Sequence, residues 1–226
     1  MQDTFRQILL DYGLYIIWGL GILEIIFTAI LLRDFKQKRD PLIICMALVG
    51  VGLCYDALII GIGGMILIPL LQVLSRARFI LHGLLVPLNV ALCGYAVPFY
   101  RKMMNVTWAV TILLMIAGGA SGFFREIDMT TLGTVTRYVS VSPDNSWMEI
   151  VDKLLSFGGV IPVILTGIWL LIKQKSPSIL LAGALMFAFS ALGPATGNAD
   201  LIFIISMFGE LFLLLFYMIY EKRHIN

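Results

Sequence analysis

The sequence contains very little charge. Only 13% of its 226 residues are Asp, Glu, Lys or Arg, whereas 60% are hydrophobic and the mean hydropathy is +0.96. Soluble domains carry about 25% charged residues, so this composition excludes a soluble fold and indicates an integral membrane protein. The net charge of +2 is too small to attract a polyanion. Nucleic acid is therefore not an expected partner.

Histidine, cysteine and catalytic motifs are also scarce. His224 lies in the C-terminal tail and leaves His82 alone among the apolar runs, which excludes a bis-histidine haem and the histidine-rich zinc site of seven-helix hydrolases. The last apolar run has no lysine for a retinal Schiff base, because Lys222 lies beyond its end. The three cysteines fall within apolar runs, and P-loop, GxSxG and CxxC motifs are missing from the sequence. We expect no cofactor and no metal.

What the sequence does contain is seven long apolar runs. About 20 apolar residues are needed to cross a hydrocarbon layer roughly 30 Å thick. The start, MQDTFRQILLDYG, has no basic segment typical of a signal peptide, so the first run is expected to stay in the protein. The runs predict an all-α, multi-pass protein with one seven-helix transmembrane domain in the lipid bilayer. They cover residues about 14–32, 42–62, 79–100, 106–124, 154–172, 178–195 and 201–220.

Two further segments lie between the runs. Residues 65–75 are apolar but too short to span, and Pro69 interrupts them, so we expect an interfacial or re-entrant segment. Residues 125–153 form the longest polar loop. Within it, TVTRYVSV alternates polar and apolar residues with the period of a strand. This pattern predicts a small hairpin, and the alternative is an irregular loop.

The basic residues indicate a direction of insertion. Loops one, three and five and the C-terminus together carry ten lysines and arginines, and the other side carries six. Short loops rich in basic residues stay on the cytoplasmic side. The sequence therefore predicts an N-terminus outside and a C-terminus inside, with 125–153 as an outer loop.

Two stretches of the chain resemble each other. ILLRDFKQKRDPLIICMALVG and WLLIKQKSPSILLAGALMF both join two apolar helices through a KQK turn and a proline. Two basic loops on one face look alike under the charge rule alone. If spans 1–3 and 5–7 are repeats, the arrangement is three plus one plus three. That layout is similar to sugar-efflux and vitamin-uptake transporters built from three-helix repeats, whose signature residues have no match here, so no family is assigned.

A polar stripe runs along the third span. Arg78, His82, Leu85 and Asn89 are separated by steps of four, three and four residues, and they therefore share one helical face. From the outer end, Arg78 would lie at the headgroup boundary, His82 one turn deeper and Asn89 near the middle.

Three acidic residues lie in other spans. Asp56 is expected in the outer third of the second span, level with His82, and Glu24 and Glu210 near the centres of the first and seventh. Ionisable groups at membrane depth cost at least about 2.5 kcal/mol each and normally face a bundle interior with a partner. We therefore expect these side chains and the polar stripe to share a hydrated pocket, with Asp56 paired to Arg78 or His82.

Each of these six candidate binding residues also has a structural interpretation. Arg78 can anchor its helix end at lipid phosphate, and Asp56 can form a packing ion pair. The other four can form hydrogen bonds between helices.

Three functions agree with this pattern. The favoured one is a transporter or binder of a small solute or of protons, because carboxyls lie at two depths among proline-containing helices. The second is a metal-free enzyme that acts on a lipid or isoprenoid at the outer leaflet, with 65–75 as its gate. The third is a sensor, receptor or partner subunit. The expected partners are accordingly a small-molecule or lipid ligand, or a membrane protein or second copy of the chain.

The glycosylation sequon Asn105-Val106-Thr107 tests the orientation. It falls on the predicted inner side, so it should stay unmodified when the protein is expressed in a eukaryotic cell. Glycosidase-sensitive mobility on a gel measures this. A glycan at Asn105 would mean that the predicted orientation is wrong.

Overall fold

The computed structural model describes residues 2–97, 102–141 and 146–225, with the side chains from Thr4 onward, and it is mostly helical. Seven helical stretches in the described part are long and apolar enough to cross a membrane, with α3 and α4 together forming one of them. The predicted multi-pass membrane protein is therefore confirmed. The helices are α1 Gln2–Lys38, α2 Pro41–Ile62, α3 Ile68–Leu85, α4 Leu88–Ala96, α5 Met104–Phe124, α6 Trp147–Gln174, α7 Ser178–Ala195 and α8 Ile202–His224.

Two helices are much longer than their apolar runs. α1 has 37 residues, which is about 55 Å at 1.5 Å per residue, and α6 has 28 residues. Both exceed the roughly 30 Å of a hydrocarbon layer. Hydropathy identified the apolar part of each helix but not the turns that extend beyond it.

The segment 65–75 is not separate from the third span. Residues from Ile68 onward form the first turns of α3, so this stretch is not a separate re-entrant piece, and its interfacial position stays a prediction. The reason is the position of Pro69, which lies in the first turn of the helix. Proline lacks a backbone N–H, but in the first turn of a helix that group would have no partner within the helix, so a proline there costs nothing.

The helices pack in chain order around a ring. Each span contacts the next, and α8 closes the ring against α1. α2 is the most enclosed span and contacts α1, α3, α4 and α8. In its apolar 18-residue stretch 67% of the residues are buried, compared with 22% in that of α5. The interior of the bundle therefore lies around α2. The repeat of spans 1–3 and 5–7 stays a prediction.

α3 and α5 cross with their backbones in contact. A Cβ at Gly83 would overlap the backbone of Gly118, and the reverse is also true, while a Cβ at Gly122 would overlap the backbone of Phe79. Small residues permit this approach between membrane helices.

Substitution of Gly118 tests this crossing. Gly118→Ala should lower the free energy of unfolding by about 1–3 kcal/mol, because the added methyl forces the two backbones apart. Gly158→Ala is the matched control, since a Cβ at Gly158 meets no atom of the described residues within 4 Å, and alanine favours the helix by about 1 kcal/mol. Thermal unfolding in detergent measures both, and equal effects would contradict the packing.

A two-stranded antiparallel hairpin follows α5. β1 Ile127–Leu132 pairs with β2 Val135–Ser140, with Leu132 opposite Val135 at the turn. The hairpin predicted from TVTRYVSV is confirmed, and the alternative of an irregular loop is wrong. Gly133 turns the chain with a φ of +58°, which favours glycine.

The hairpin covers one end of the bundle. The amide of Thr134 donates to the carbonyl of Leu10 at 3.2 Å, and its hydroxyl accepts from the amide of Leu14 at 3.2 Å. On α2, a Cβ at Gly63 would overlap the carbonyl oxygen of Thr136. Val135 is buried in a cluster that includes residues of α1 and α8. We call this the hairpin end, and the other the opposite end.

Candidate functional site

A buried ion pair lies beneath the hairpin. The Nε of Arg78 on α3 lies 3.1 Å from Oδ1 of Asp56 on α2, and the two side chains are 6% and 19% exposed. The Nη2 of Arg78 donates to the backbone carbonyl of Tyr138 at 3.1 Å. The guanidinium also lies 4.5 Å from the ring centre of Phe79. The predicted pairing of Asp56 with Arg78 is present, and the hairpin supplies a third partner that the sequence did not reveal.

Arg137 brings a second guanidinium to this region. On β2, its Cζ lies 3.7 Å from the ring centre of Phe203 on α8. The pKa of Arg137 is lowered to about 10, mainly by burial and also by the positive charge of Arg78, while Asp56 acts in the opposite direction. The electric field of the ion pair therefore extends into the hairpin. In the sequence, Arg137 is the single basic residue of the alternating stretch TVTRYVSV. Its position beside the ion pair was not predicted.

Glu24 and Glu210 are buried beside the ion pair. They are 0% and 5% exposed. Both carboxyl oxygens of Glu24 and Oε2 of Glu210 have no hydrogen-bond partner among the residues the structure describes. The two carboxyls interact electrostatically with each other and with Asp56, and Arg78 also acts on Glu210. We call Glu24, Asp56, Arg78 and Glu210 the charged cluster, which combines three acids with one base.

Glu24 and Asp56 lie at almost the same level. A Cβ at Gly21 would lie 3.1 Å from the Cβ of Ala57, and Thr28 Oγ1 lies 3.3 Å from Cys54 Sγ. Glu24 lies between Gly21 and Thr28 on α1, and Asp56 lies between Cys54 and Ala57 on α2. Along the helix axes the two carboxyls therefore differ in height by no more than about one helical turn, or 5.4 Å. The expected difference in depth between them is wrong. α1 overhangs α2 at the hairpin end, and no hydropathy pattern reveals such an offset.

His82 lies between two ion pairs. Asp56 and Arg78 act on it electrostatically, and so do Arg125 and Asp152. Arg125 follows α5 and pairs with Asp152 on α6. The sequence placed His82 level with Asp56, and the structure brings the two within reach of each other's charge. The Arg125–Asp152 pair was not anticipated, because it depends on how a loop meets α6.

Asn89 has a different environment. It is 3% exposed on α4, and its Oδ1 accepts a hydrogen bond of 2.8 Å from the hydroxyl of Tyr217 on α8. It lies eleven residues, or about 16 Å, along the third span from Arg78. This contact matches its structural interpretation, a hydrogen bond between helices. Its binding role stays a prediction.

A second network joins α1 to α8 at the opposite end. The Nζ of Lys38 lies 2.8 Å from Oε1 of Glu221, and Lys222 pairs with Asp34. Both carboxylate side chains are buried, Asp34 to 3% exposure and Glu221 to 0%. At the hairpin end, Arg6 pairs with Asp200 at 2.6 Å. Asp200 lies in the short 3-10 turn Ala199–Leu201 that leads into α8. Ion pairs thus tie α1 to α8 and to the turn before it, on both sides of the charged cluster, although the sequence suggested only ordinary charged helix ends.

The cluster is not arranged as a metal site. Residues 2–97, 102–141 and 146–225 contain no group of three or more His, Cys, Asp or Glu side chains that could hold a metal ion. No protein-family model matches the chain, and no curated protein matches it.

A double-mutant cycle tests the ion pair. Asp56→Asn alone should cost about 3–5 kcal/mol of stability, because it leaves the charge of Arg78 buried without its partner. Asp56→Asn combined with Arg78→Met should recover much of that loss, because no charge then stays buried. Lys153→Gln is the control, since the Lys153–Glu149 pair is exposed and contributes about 0.5 kcal/mol or less. Circular dichroism follows the unfolding of the wild type, of Asp56→Asn and Arg78→Met alone, of the double variant and of the control. Losses in the two single variants that add up in the double variant would contradict a direct pair.

Proposed function

We propose that this protein is a membrane transporter in which Glu24 and Glu210 bind protons and the charged cluster binds a small solute. The observation that carries this proposal is the absence of hydrogen-bond partners, among the described residues, for both carboxyl oxygens of the fully buried Glu24. An ionised carboxylate in an apolar interior costs far more than a neutral one. A proton, or a cation that replaces it, would remove that cost.

The charges of the cluster support proton coupling. Asp56 and Arg78 compensate each other, so the net charge of the cluster depends on Glu24 and Glu210. When both hold protons the cluster is neutral, and each proton released leaves one negative charge. Because the two carboxyls repel each other, loss of one proton opposes loss of the second. The cluster would therefore exchange one positive charge at a time.

The ends of the bundle support alternating access. We propose that the hairpin faces the outside, because the ten basic residues of the opposite loops favour the cytoplasm. The Arg6–Asp200 pair and the α1–α8 ion pairs at the opposite end would then act as an outer and an inner gate around the cluster. The alternatives of a lipid enzyme and of a receptor have no comparable supporting contact in the described part of the chain.

Infrared spectroscopy tests the bound protons. At neutral pH the protein should show the C=O stretch of neutral carboxyls in an apolar environment, and Glu24→Gln and Glu210→Gln should each remove part of that band. Glu149→Gln changes in the same way a half-exposed carboxyl that is paired with Lys153, and it should leave the band unchanged. A band that is absent from the wild-type protein, or unaltered in both Gln variants, would contradict proton binding at these residues.

Proteoliposomes containing a pH-sensitive dye test the coupling to a solute. Phosphate, alanine, glucose and tetraphenylphosphonium are added outside, one at a time. The proposal expects at least one of them to change the internal pH through the wild-type protein but not through Glu24→Gln, with Glu149→Gln behaving as wild type. Solute-driven pH changes that persist in Glu24→Gln would contradict the role of that carboxyl in transport.

A further inference from the structure

A groove opens between α1 and α2 on the side of the bundle. It has a volume of about 330 Å³, and its walls are mainly aliphatic. Because it is lined by membrane-spanning helices and opens sideways, its mouth faces the hydrocarbon of the bilayer. Its lining includes Ile25, Thr28, Ala29, Val51, Cys54 and Tyr55.

The deep side of the groove adjoins the charged cluster. Thr28 lies one turn beyond Glu24 on the same face of α1. Its Oγ1 is 3.3 Å from Cys54 Sγ, and Cys54 in turn interacts electrostatically with Glu24. Thr28 and Cys54, which line the groove, therefore lie within about one helical turn of Glu24. Glu24 is fully buried behind this wall, and its carboxyl has no hydrogen-bond partner in the described part of the chain.

We infer that this groove admits a hydrophobic organic cation with one positive charge, which enters from the bilayer and places its charge at Glu24. This inference rests on the proposed function and names the class of solute. The apolar walls match the hydrophobic body of such a cation, and the three acids of the cluster against one arginine match its charge. As the cation arrives, Glu24 releases its proton to water, so one positive charge replaces another.

The same features disfavour other ligands. An anion would approach three carboxyls. Of the two guanidiniums nearby, Arg78 is already held by Asp56 and by the carbonyl of Tyr138, and Arg137 lies on the hairpin against the ring of Phe203. A sugar needs many hydrogen-bond partners, whereas most residues that line the groove have aliphatic side chains. Tyr55 adds an aromatic ring, and such rings attract cations. Its hydroxyl donates to the carbonyl of Leu74 at 3.2 Å, which fixes the ring in place.

Equilibrium dialysis of tetraphenylphosphonium against the purified full-length protein tests this inference. The wild-type protein should bind the cation saturably and release about one proton per cation into a weakly buffered solution. Glu24→Gln should weaken binding by about tenfold or more, which is 1.4 kcal/mol, and should abolish the proton release. Ala29→Phe fills the groove and should weaken binding to a similar extent.

The controls separate the groove from the lipid-facing surface as a whole. Ala109→Phe makes the same change at an exposed position on α5 and should bind as wild type. Val51→Phe fills the groove from the α2 wall and replaces Ala29→Phe if that variant does not fold. Retention of the infrared carboxyl band shows that a groove-filling variant keeps its interior intact.

The outcomes distinguish this inference from the proposed function. Wild-type affinity in both groove-filling variants would overturn the lateral site. Failure of the wild-type protein to bind tetraphenylphosphonium would overturn the cationic class of solute. Neither result affects the infrared test of Glu24 and Glu210, which decides independently whether the cluster holds protons.

Discussion

The arrangement of the hairpin end depends on the cost of burying the guanidinium of Arg78. An arginine side chain stays charged in proteins, so burial to 6% exposure requires partners on several sides. Asp56 provides the opposite charge, Tyr138 a carbonyl and Phe79 an aromatic face. These partners come from α2, from the hairpin and from α3 itself. The need to satisfy one charge therefore explains why a two-stranded hairpin is fastened to the end of a helical bundle.

The charged cluster also needs helices that approach closely. A Cβ at Gly50 on α2 would overlap Thr28 Oγ1 of α1 and lie 3.1 Å from Leu214 of α8, so glycine allows α2 to sit tightly between its two neighbours. A Cβ at Gly21 of α1 would lie 3.1 Å from the Cβ of Ala57, so this glycine also allows α1 and α2 to pack closely. This proximity brings carboxyls of three helices within reach of one another's charge, although each is separated from the next by many residues in the chain. The packing that stabilises the bundle is thus also what makes the carboxyls interact.

Much of this could be predicted from the sequence, for reasons that are local. Hydropathy located the spans, because about 20 apolar residues are needed in one run. The period of two in TVTRYVSV identified the hairpin. Counting residues along two antiparallel spans placed Asp56 and Arg78 near the same end of the bundle. What could not be predicted depends on tertiary offsets. The level of Glu24 against Asp56 follows from how far α1 overhangs α2, which leaves no trace in either segment alone.

Other residues were missed because their sequence context is ordinary. Asp34 and Glu221 lie among basic residues at helix ends, where charge is usually exposed to water, yet both are buried in the network that joins α1 to α8. Arg137 lies in a polar loop, where an arginine needs no partner until the hairpin folds onto α8. Asn89 was correctly placed on the polar stripe, but its partner Tyr217 is 128 residues away. Pairings of this kind depend on the fold and not on the motif.

The ion pairs that join α1 to α8 and to the turn before it differ between the two ends in a way that bears on the proposed transport cycle. At the hairpin end, the side chains of Arg6 and Asp200 are 36% and 41% exposed. Water can replace such a contact, so separating it costs little. At the opposite end, Glu221 is fully buried against Lys38, and the 3% exposed Asp34 pairs with Lys222. Parting α1 from α8 would break both pairs and leave Glu221 with Lys222 alone, at 3.7 Å, so it costs more than separating an exposed pair. If transport requires α1 and α8 to separate around Glu24 and Glu210, the hairpin end therefore opens more readily. The cluster would exchange protons first with the compartment that the hairpin faces.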